Sequence, residues 1–589
     1  MTTHSYRDVP ARSPESSERV DDLVWRQALA TPDAPAVPGV LSYGELVANA
    51  EGLVAALSAT GCGSHTVVGL FLDRSPELLA AMLAVWRLGA TCMPIAPTDP
   101  ASRVEMLLAT VEPPIVVTTT DKAGQLPAGR QVLLVEDGGT APVVDRPRRP
   151  ATDPAIIFST SGSTGVPKPV VITHHNYTSQ LDWVIDNFEL SNQDVHLLKA
   201  PVSFVSLLRQ VIWPLATGGS IVIVPPGLEH DVPHQARLID EHGVTFMTFI
   251  TPALQAFIRY ARLNGGSVRN VATGGDRYPL GLAREFLRTF PNARMHHTYG
   301  MTEGTLVLCN LIDRPDADET SLGIVVPGAI ARLLDEHGNP VPPGESGEIH
   351  IGGVPLTPGY LNRPDLNAER FLSTPDGPLF ATRDRARHRP DGTFELIGRA
   401  DNMVKIRGFR VELGEVEQAI DQHPGVAHAV CRADTAPSGE VRLVAYLQLQ
   451  PDTTVTDAEL RRFLHTTLPD HMVPAFFLRL DSFPLTPNGK VKRDELPTPR
   501  TSAPPAQTPR GLTDMVKAEW RRALEVADPI PQSNFFELGG TSMTALELTA
   551  NLSEHLGVEV PMTAALRYPT LAQFSDYVEQ LMADTTARD

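Results

Sequence analysis

The segment FSTSGSTGVPKPVVIT, residues 158–173, concentrates small hydroxyl residues, glycines and one lysine between two apolar stretches. Glycines let a backbone approach a ligand closely, and successive N–H groups form an anion-binding nest. The hydroxyls add hydrogen-bond donors and Lys168 adds a point charge, which suits the phosphates of a nucleotide. The segment is not a Walker A motif, because it has no GxxxxGK(S/T) pattern, and Ser/Gly loops also connect hairpin strands. Taken alone, it leaves a phosphate site and a hairpin linker both open.

Other short segments accompany this loop along the chain. They are LSYGEL (41–46), LGATCMPI (88–95), TYGMTE (298–303), GEIHIGG (347–353), TRD (382–384), GRADNMVKIRGFRVELGEVE (398–417) and NGKVKR (488–493). With the loop in third place, their order resembles the core motifs of nonribosomal peptide synthetase adenylation domains, within the adenylate-forming superfamily, over residues 20–495. The tail segment NFFELGGTSM (534–543) is similar to the attachment site of a thiolation, or peptidyl carrier protein, domain.

The resemblance implies an ATP-dependent acid–carrier-protein ligase. A carboxylic acid becomes an acyl-adenylate with release of pyrophosphate, and a thiol then displaces AMP to form a thioester. The implied cofactors are ATP, Mg²⁺ and 4′-phosphopantetheine. The implied partners are a small carboxylic acid, a phosphopantetheinyl transferase, and condensation or tailoring enzymes that act in trans. An acyl- or aryl-CoA ligase and an inactive scaffold that presents the carrier stay open as alternatives. The LGGTS motif disfavours the first, and the intact Lys168, Glu303, Asp384 and Lys490 disfavour the second.

By the same resemblance, the loop cradles the β- and γ-phosphates of ATP, and a second set of residues binds the nucleoside. The implied loop contacts are Thr160, Ser161, Gly162, Ser163, Thr164, Gly165 and Lys168. The other implied ATP contacts are Gly274, Gly275, Asp276, Tyr299, Gly300, Thr302, Asp384 and Arg399. Glu303 is implied as the ligand of Mg²⁺, a hard cation that prefers oxygen. Outside this context TxE is typical of a helix start, and GGD is typical of a turn.

Two lysines are implied to serve different half-reactions. Lys490 would stabilise the charge that develops on the attacked phosphate. Asp401 matches the hinge about which the small subdomain rotates, and the rotation would then turn Lys405 and Gly408 toward the active site. Gly408 would let the pantetheine arm pass. The alternative is that the hinge and the PNGK turn are solvated loops.

Ser542 is implied to carry the 4′-phosphopantetheine. It precedes an apolar helical stretch, so a helix N-cap is the structural alternative, and both roles are compatible. A helix start would expose the hydroxyl to the transferase.

The acyl pocket departs from the family pattern. Anchoring the segment APVSFVSLLRQVIWPL (200–215) on its WPL end places Val205 where amino-acid-activating members carry an aspartate for the α-ammonium. Because a buried ammonium without a counter-ion costs several kcal/mol, we expect a substrate that is not an ordinary α-amino acid. The implied pocket residues are Val205, Ser206, Arg209, Ala253, Ala272, Gly274, Thr298, Leu306 and Val307. Arg209 is the polar exception, and it is expected either to pair with an anionic or polar substituent or to face solvent.

Four smaller departures leave the chemistry in place. Pro169 stands for a glycine after the loop lysine, His297 for an asparagine and Met301 for a proline. Arg383 stands for the glycine of the TGD motif, which puts the geometry at the ribose in question.

Composition limits the class of protein. With 50 Lys and Arg against 69 Asp and Glu, the 589-residue chain has a formal charge of −19, whereas a nucleic-acid partner requires a basic surface. The four cysteines form no CxxC pattern, so neither a disulfide framework nor a zinc site is indicated. The N-terminus lacks the apolar core of a secretion signal, and the most apolar run, LLAAMLAVW (78–86), is too short to span a bilayer. We expect a cytoplasmic protein without a nucleic-acid or membrane partner.

The chemical motifs require a framework to position them. From residue 21 to 400, the apolar runs IIF (156–158), VVI (170–172), IVIV (221–224) and FMTFI (246–250) alternate with helical stretches. This predicts a large α/β subdomain with a mostly parallel sheet. Residues 401–495, with VRLVAYLQL (441–449) as a strand, predict a small, mobile α+β subdomain. Residues 512–589 predict an all-α helical-bundle carrier behind a Pro-rich linker (496–511), and residues 1–20 are expected to be flexible.

Overall fold

The structure, a computed structural model, describes residues 6–143, 149–162, 167–263, 266–275, 281–314, 321–399, 403–406, 408–435, 441–450, 453–480, 482–484, 491–499, 511–524, 529–536, 538–540 and 542–586. Within them, no helix has the length and apolar character needed to cross a membrane. The chain folds into a large unit of three parts, a small unit and a helical carrier unit.

Residues 20–188 build the first part of the large unit around a mostly parallel sheet. Its helices are α1 (Val20–Ala30), α2 (Tyr43–Ala59), α3 (Pro76–Arg87), α4 (Ala101–Val111), α5 (His174–Thr178) and α6 (Leu181–Phe188). Its strands are β1 (Pro35–Val37), β2 (Leu41–Ser42), β3 (Val67–Phe71), β4 (Thr91–Ile95), β5 (Ile115–Thr118), β6 (Gln131–Leu134), β7 (Pro154–Thr160) and β8 (Lys168–Thr173). The sheet runs β8-β7-β4-β3-β5-β6, and only the β7–β8 pair is antiparallel. That hairpin carries the Ser/Gly loop between its strands.

Residues 195–325 build the second part, again a sheet flanked by helices. Its strands are β9 (Val195–Leu198), β10 (Ser220–Ile223), β11 (Phe246–Ile250), β12 (Asn270–Gly274), β13 (Arg294–Tyr299), β14 (Leu308–Ile312) and β15 (Ile324–Val325). Its helices are α7 (Ser206–Thr217), α8 (Val232–His242), α9 (Thr251–Tyr260) and α10 (Leu282–Thr289). The order is β10-β9-β11-β12-β13-β14-β15, parallel as far as β13. The carboxyl ends of the parallel strands therefore meet at one edge, where ligands bind in such sheets.

The third part, residues 329–399, differs from the predicted parallel sheet. Its elements are β16 (Ala329–Leu334), β17 (Ser346–Gly353), β18 (Gly359–Tyr360), α11 (Pro364–Arg370), β19 (Phe371–Thr374), β20 (Gly377–His388) and β21 (Phe394–Arg399). Five of these strands form an antiparallel sheet, while β18 joins β8 of the first part. Tight turns at Gly377 and Gly392, with φ of 104° and 83°, connect neighbouring strands. Turns this short leave no room for the helical crossovers of a parallel sheet.

The small unit spans residues 403–499. Its elements are β22 (Met403–Ile406), β23 (Phe409–Glu412), α12 (Leu413–Asp421), β24 (Val426–Thr435), β25 (Val441–Leu449), α13 (Asp457–Leu464) and β26 (Phe476–Arg479). β22 and β23 form a hairpin, and β24-β25-β26 form a three-stranded sheet. Leu496 is buried, and the Pro497 carbonyl accepts a hydrogen bond from the Tyr446 hydroxyl at 2.7 Å. The first residues of the predicted linker thus pack on the small unit.

The carrier unit is helical, as predicted. Its helices are α14 (Leu512–Leu524), α15 (Ser542–Leu556), α16 (Thr563–Arg567) and α17 (Leu571–Thr586). Trp520 packs between Phe535 and Phe574, with ring centroids 5.2 and 6.0 Å apart. Burial of three aromatic rings supplies a core that a unit of this size needs.

Residues 6–19, part of the segment expected to be flexible, contact the large unit in this structure. The Tyr6 hydroxyl hydrogen-bonds Nδ1 of His296 at 3.0 Å, and its ring packs 5.0 Å from that of Trp183. Arg19 is 1% exposed and its Nε lies 3.0 Å from the Asp21 carboxylate. Aromatic burial and paired charge anchor this polar segment, and neither is visible from its polarity alone.

Candidate active site

One cavity of about 860 Å³ lies where the large, small and carrier units meet. The loop after β4, the segment from Lys199 to Arg209 and the ends of β11, β12 and β13 line its wall in the large unit. The β22–β23 hairpin closes it from the small unit, and the Gly539–Gly540 turn reaches it from the carrier unit. Segments that are remote in sequence therefore share one chamber.

A hydrogen-bonded trio occupies one end of the cavity. The Tyr299 hydroxyl donates to Oδ2 of Asp384 at 2.7 Å, and the Arg399 guanidinium pairs with the other carboxylate oxygen. Burial, with the negative charge of Asp384, raises the pKa of Tyr299 well above 10, so the phenol stays a neutral donor. Each carboxylate oxygen keeps a further lone pair, which suits the hydroxyls of a ribose.

Arg383 does not displace this trio. It adopts the left-handed conformation, with φ of 65°, that the missing glycine would have favoured. The next residue, Asp384, still lines the cavity and is 4% exposed. Arg383 therefore keeps the left-handed backbone conformation expected of a glycine beside the predicted ribose site, although this conformation is strained for an arginine.

Glu303 is fully buried in the turn after β13, with Gly300, Met301 and Thr302 lining the cavity beside it. Its Oε1 accepts from the Tyr360 hydroxyl at 2.6 Å and from Nη1 of Arg410 at 3.1 Å, whereas its buried Oε2 has no hydrogen-bond partner within the described ranges. Burial alone would raise the pKa of Glu303, but Arg410 and the Tyr360 hydroxyl hold that pKa below its ordinary value. An ionised carboxylate with one unused oxygen fits Mg²⁺.

Small-unit carboxylates bind the described groups of the Ser/Gly loop. Lys168 is buried, and its Nζ lies 3.3 Å from Oε1 of Glu412. The Gly162 N–H donates to Oε2 of Glu415 at 3.1 Å, and the Ser161 hydroxyl donates to the Arg410 carbonyl at 2.7 Å. Burial lowers the pKa of Lys168 and Glu412 opposes the shift. The loop thus has the anion-binding character expected of it, but in this arrangement its anions are carboxylates.

The other residues predicted to bind the nucleotide or to act in catalysis fall into two groups: those that the structure describes and those that lie outside the described ranges. Thr160 ends β7, and Gly274 and Gly275 lie at the cavity. Lys405 and Gly408 also line it, on the β22–β23 side. Residues outside the described part of the chain are Ser163, Thr164, Gly165, Asp276, Asp401 and Lys490.

Gly408 shows why no larger residue suits its place. Its φ is 78°, and a Cβ there would lie 2.6 Å from Cγ2 of Ile250. Distances under 3.0 Å require a neighbour to move. The hairpin of the small unit can approach β11 this closely only with glycine at its turn.

The predicted acyl-pocket residues separate into wall and core. Those that line the cavity are Val205, Ser206, Arg209, Ala253, Gly274 and Thr298. Ala272 and Val307 are fully buried behind them. Leu306 lines a small adjoining cavity of about 20 Å³, which Arg209 also borders. Arg209 therefore faces inward, and its Nη1 donates to Oγ1 of Thr298 at 3.1 Å.

The carrier unit meets the cavity at the turn before α15. Ser542 begins that helix, and Gly539 and Gly540 line the cavity. A Cβ on Gly539 would lie 3.0 Å from the Ala475 carbonyl of the small unit. On the opposite side, Arg237 of α8 pairs with Glu559 at 2.9 Å. The Gly539–Gly540 turn, shortly before Ser542 in the chain, therefore borders the chamber.

Sequence reasoning missed the roles of Tyr360, Arg410, Glu412 and Glu415. The last three lie within the quoted segment 398–417, where the charge-rich pattern FRVELGE was an available signal. Nothing in the sequence near Tyr360 pointed to its hydrogen bond with Glu303. Tyr360 belongs to β18, whose pairing with β8 brings it to the site.

Three family models match separate parts of the chain. Residues 24–361 match the AMP-binding enzyme family, and residues 415–490 match the AMP-binding enzyme C-terminal domain. Residues 514–578 match the phosphopantetheine attachment site family.

Curated relatives and solved structures agree with these matches. The chain is 34% identical over 588 residues to a dimodular nonribosomal peptide synthase of Bacillus subtilis (strain 168), covering 94% of this chain and 25% of that protein. It is also 34% identical to phosphinothricin tripeptide synthetase PhsB of Streptomyces viridochromogenes, covering 96% of this chain and 49% of that protein. The chain thus spans a quarter to a half of these relatives. Holo-PA1221, an NRPS protein containing adenylation and PCP domains bound to a vinylsulfonamide inhibitor, superposes with a TM-score of 0.83 at 25% identity, covering 97% of this chain and 98% of that one.

Proposed function

The chain belongs to the AMP-binding enzyme family, and we propose that it activates a small carboxylic acid with ATP and loads the acyl group onto its own carrier unit. Loading is included because residues 514–578 match a phosphopantetheine attachment site. A phosphopantetheinyl transferase would prime Ser542, and condensation or tailoring enzymes would accept the thioester.

The observation that carries the proposal is the continuity of one cavity from Asp384, past Lys405, to Gly539 of the carrier unit. A substrate carboxylate oxygen attacks the α-phosphorus of ATP, and pyrophosphate leaves. With a pantetheine arm bound, its thiol would lose a proton to solvent and attack the acyl carbon, so that a C–S bond would form as the bond to AMP breaks. A chamber that opens to both the nucleotide residues and the carrier lets these two steps share one acyl position.

The residues divide by half-reaction. Lys168 and the loop hold the phosphates during adenylation, and Lys490 stabilises charge on the attacked phosphate. Glu303 holds Mg²⁺, which when bound neutralises phosphate charge. Asp384 positions the ribose in both steps. Lys405 serves thioester formation. This role is supported by its place in the cavity lining in the orientation of the small unit seen here.

The acid lacks a free α-amino group. Val205 offers only an apolar side chain at the aspartate position, and its own carbonyl already accepts a hydrogen bond from the Tyr177 hydroxyl at 3.3 Å. The preceding residues Ala200, Pro201 and Val202 add no carboxylate. An α-ammonium in this corner would be desolvated without a counter-ion, which costs several kcal/mol.

Pyrophosphate exchange across a panel of acids tests activity and substrate together. We expect the proteinogenic amino acids to remain near background and acids without an α-amino group to exchange. Robust exchange with a common L-α-amino acid would overturn the assignment of Val205.

Covalent loading needs a separate measurement. Ser542→Ala should retain exchange, because Ser542 belongs to the carrier unit, and should show no pantetheine mass after treatment with a phosphopantetheinyl transferase. Intact-mass spectrometry reads this directly, and a pantetheine adduct on the variant would place the attachment site elsewhere.

A further inference from the structure

Arg209 is a cation without a carboxylate partner in the acyl pocket. It lies on α7, one helical turn after Val205, and lines the same cavity wall. Its Nη1 donates to Thr298, and its buried Nε has no hydrogen-bond partner among the residues that the structure describes. Within the described part of the chain, no Asp or Glu forms an ion pair with it. The guanidinium lines the cavity while its Nε is buried, so its terminal Nη donors are the ones that a ligand can reach.

The groups around Arg209 cannot supply the missing charge. Tyr177 contacts the guanidinium through its hydroxyl, but burial raises the pKa of Tyr177 above 10, so the phenol is neutral. The Trp213 ring lies 5.6 Å from the guanidinium carbon, and Leu306 closes the small cavity behind it. A half-buried guanidinium held among neutral groups is stabilised when an anion joins it.

The guanidinium is also held in place before any ligand arrives. The Thr298 hydroxyl donates to the Thr273 carbonyl at 3.0 Å, which turns its lone pairs toward Arg209. The guanidinium also lies within cation–π distance of the Trp213 ring, which adds a second contact that holds it. A fork fixed in this way suits the two oxygens of a carboxylate and loses little entropy on binding it.

We propose that the acid activated by this protein is a dicarboxylic acid, whose second carboxylate pairs with Arg209. The inference rests on the proposed function and narrows its substrate class. One carboxylate is adenylated and the other, at the Arg209 end, pairs with this half-buried cation. The small side chains at Ala253 and Gly274 leave space for the body between them. Val205, on the same helix face, leaves no place for an α-ammonium.

Matched pairs of acids test this. Pyrophosphate exchange is measured with aliphatic and aromatic dicarboxylic acids of four to eight carbons, each beside its own monoamide, which removes the charge and keeps the shape. We expect kcat/KM for the preferred diacid to exceed that of its monoamide by about 100-fold, since a buried ion pair discriminates on that scale. In Arg209→Gln the ratio should fall to near one, and Arg209→Lys should restore part of it.

The outcomes separate the inference from the function beneath it. A wild-type ratio at or below one, or a ratio unchanged in a folded Arg209→Gln protein, would overturn the dicarboxylate. Exchange with neutral monocarboxylic acids alone would do the same and leave acid activation standing. Exchange with no acid of either kind would overturn the proposed function itself. Thermal melts of both variants establish that they fold.

Discussion

Arg383 keeps a backbone conformation that costs an ordinary residue about 1–2 kcal/mol relative to glycine. Its guanidinium lies 3.7 Å from Glu348 and 3.5 Å from Glu369, on a partly exposed side chain where ion pairs contribute little. Local strain at this residue is therefore only weakly compensated.

Arg383→Gly should leave the free energy of unfolding unchanged or raise it by about 1 kcal/mol, because relief of the left-handed strain offsets the flexibility of glycine. Arg387→Gly is the matched control, since Arg387 is exposed on the same strand and also pairs with a glutamate, Glu395, at 3.0 Å. The free energy of unfolding of Arg387→Gly should fall by about 1 kcal/mol. Urea denaturation measures both, and an equal loss in the two variants would contradict strain at Arg383.

Lys199 links stability to pH. Its Nζ donates to Gln235 at 2.9 Å and lies 4.3 Å from the Phe249 ring centre, and burial, with the nearby Arg74 charge, lowers the pKa of Lys199 from 10.5 to about 7. Between those pH values the unfolded chain holds a proton that the folded protein lacks, so stability rises with pH. From pH 7 to pH 9.5, the free energy of unfolding of the wild type should rise by roughly 1–3 kcal/mol relative to that of Lys199→Met. Denaturation midpoints of both proteins at the two pH values measure this difference. A difference that stays constant with pH would contradict the shift.

At the scale of elements, the continuous apolar runs were predictable. IIF, VVI, FMTFI and VRLVAYLQL lie within β7, β8, β11 and β25, because strands buried on both faces show no polar alternation. The antiparallel sheet of the third part could not be predicted, because the second half of β20, TRDRARH, is charged on both faces.

For the site, features within one segment of sequence could be predicted, whereas contacts between distant segments could not. The inward-facing Lys405 and the glycine turn beside it could be inferred from one segment of sequence. The pair of Lys168 and Glu412 could not, because 244 residues separate the two partners and their contact depends on how two units are oriented.

The β22–β23 hairpin offers a test at this scale. Gly408→Ala should slow thioester formation at least tenfold, because the new Cβ would collide with Ile250 and the hairpin could not close. Pyrophosphate exchange should remain within twofold of wild type, since adenylation does not use this closure. Gly398→Ala is the control, because a Cβ there meets nothing within 4 Å. Equal loss of both half-reactions in Gly408→Ala would argue for general misfolding of the hairpin.

For the whole molecule, the small unit occupies groups that we propose to bind the phosphates of ATP and Mg²⁺. Glu412 binds Lys168, Glu415 binds the loop N–H of Gly162, and Arg410 binds Glu303. The placement of the small unit seen here is therefore stabilised by the contacts that ATP would need.

Removing one of these charges should favour ATP. Glu412→Gln should lower the KM for ATP in pyrophosphate exchange about two- to fivefold and slow thioester formation, because one buried ion pair no longer holds the small unit closed. Glu417→Gln is the control, since Glu417 pairs with Arg493 at 2.8 Å within the small unit. A higher KM for ATP in Glu412→Gln, with Glu417→Gln unchanged, would show that the pair does not compete with phosphate.

The docking of the carrier unit on its own chain has a kinetic consequence. The carrier touches the small unit at Gly539 and the large unit at Glu559, so we expect its arm to enter the chamber from within the same molecule. Tethered partners meet at an effective concentration that short linkers set near the millimolar range. Loading then follows first-order kinetics that dilution does not change, and a carrier supplied on another chain at micromolar concentration is excluded by mass action alone.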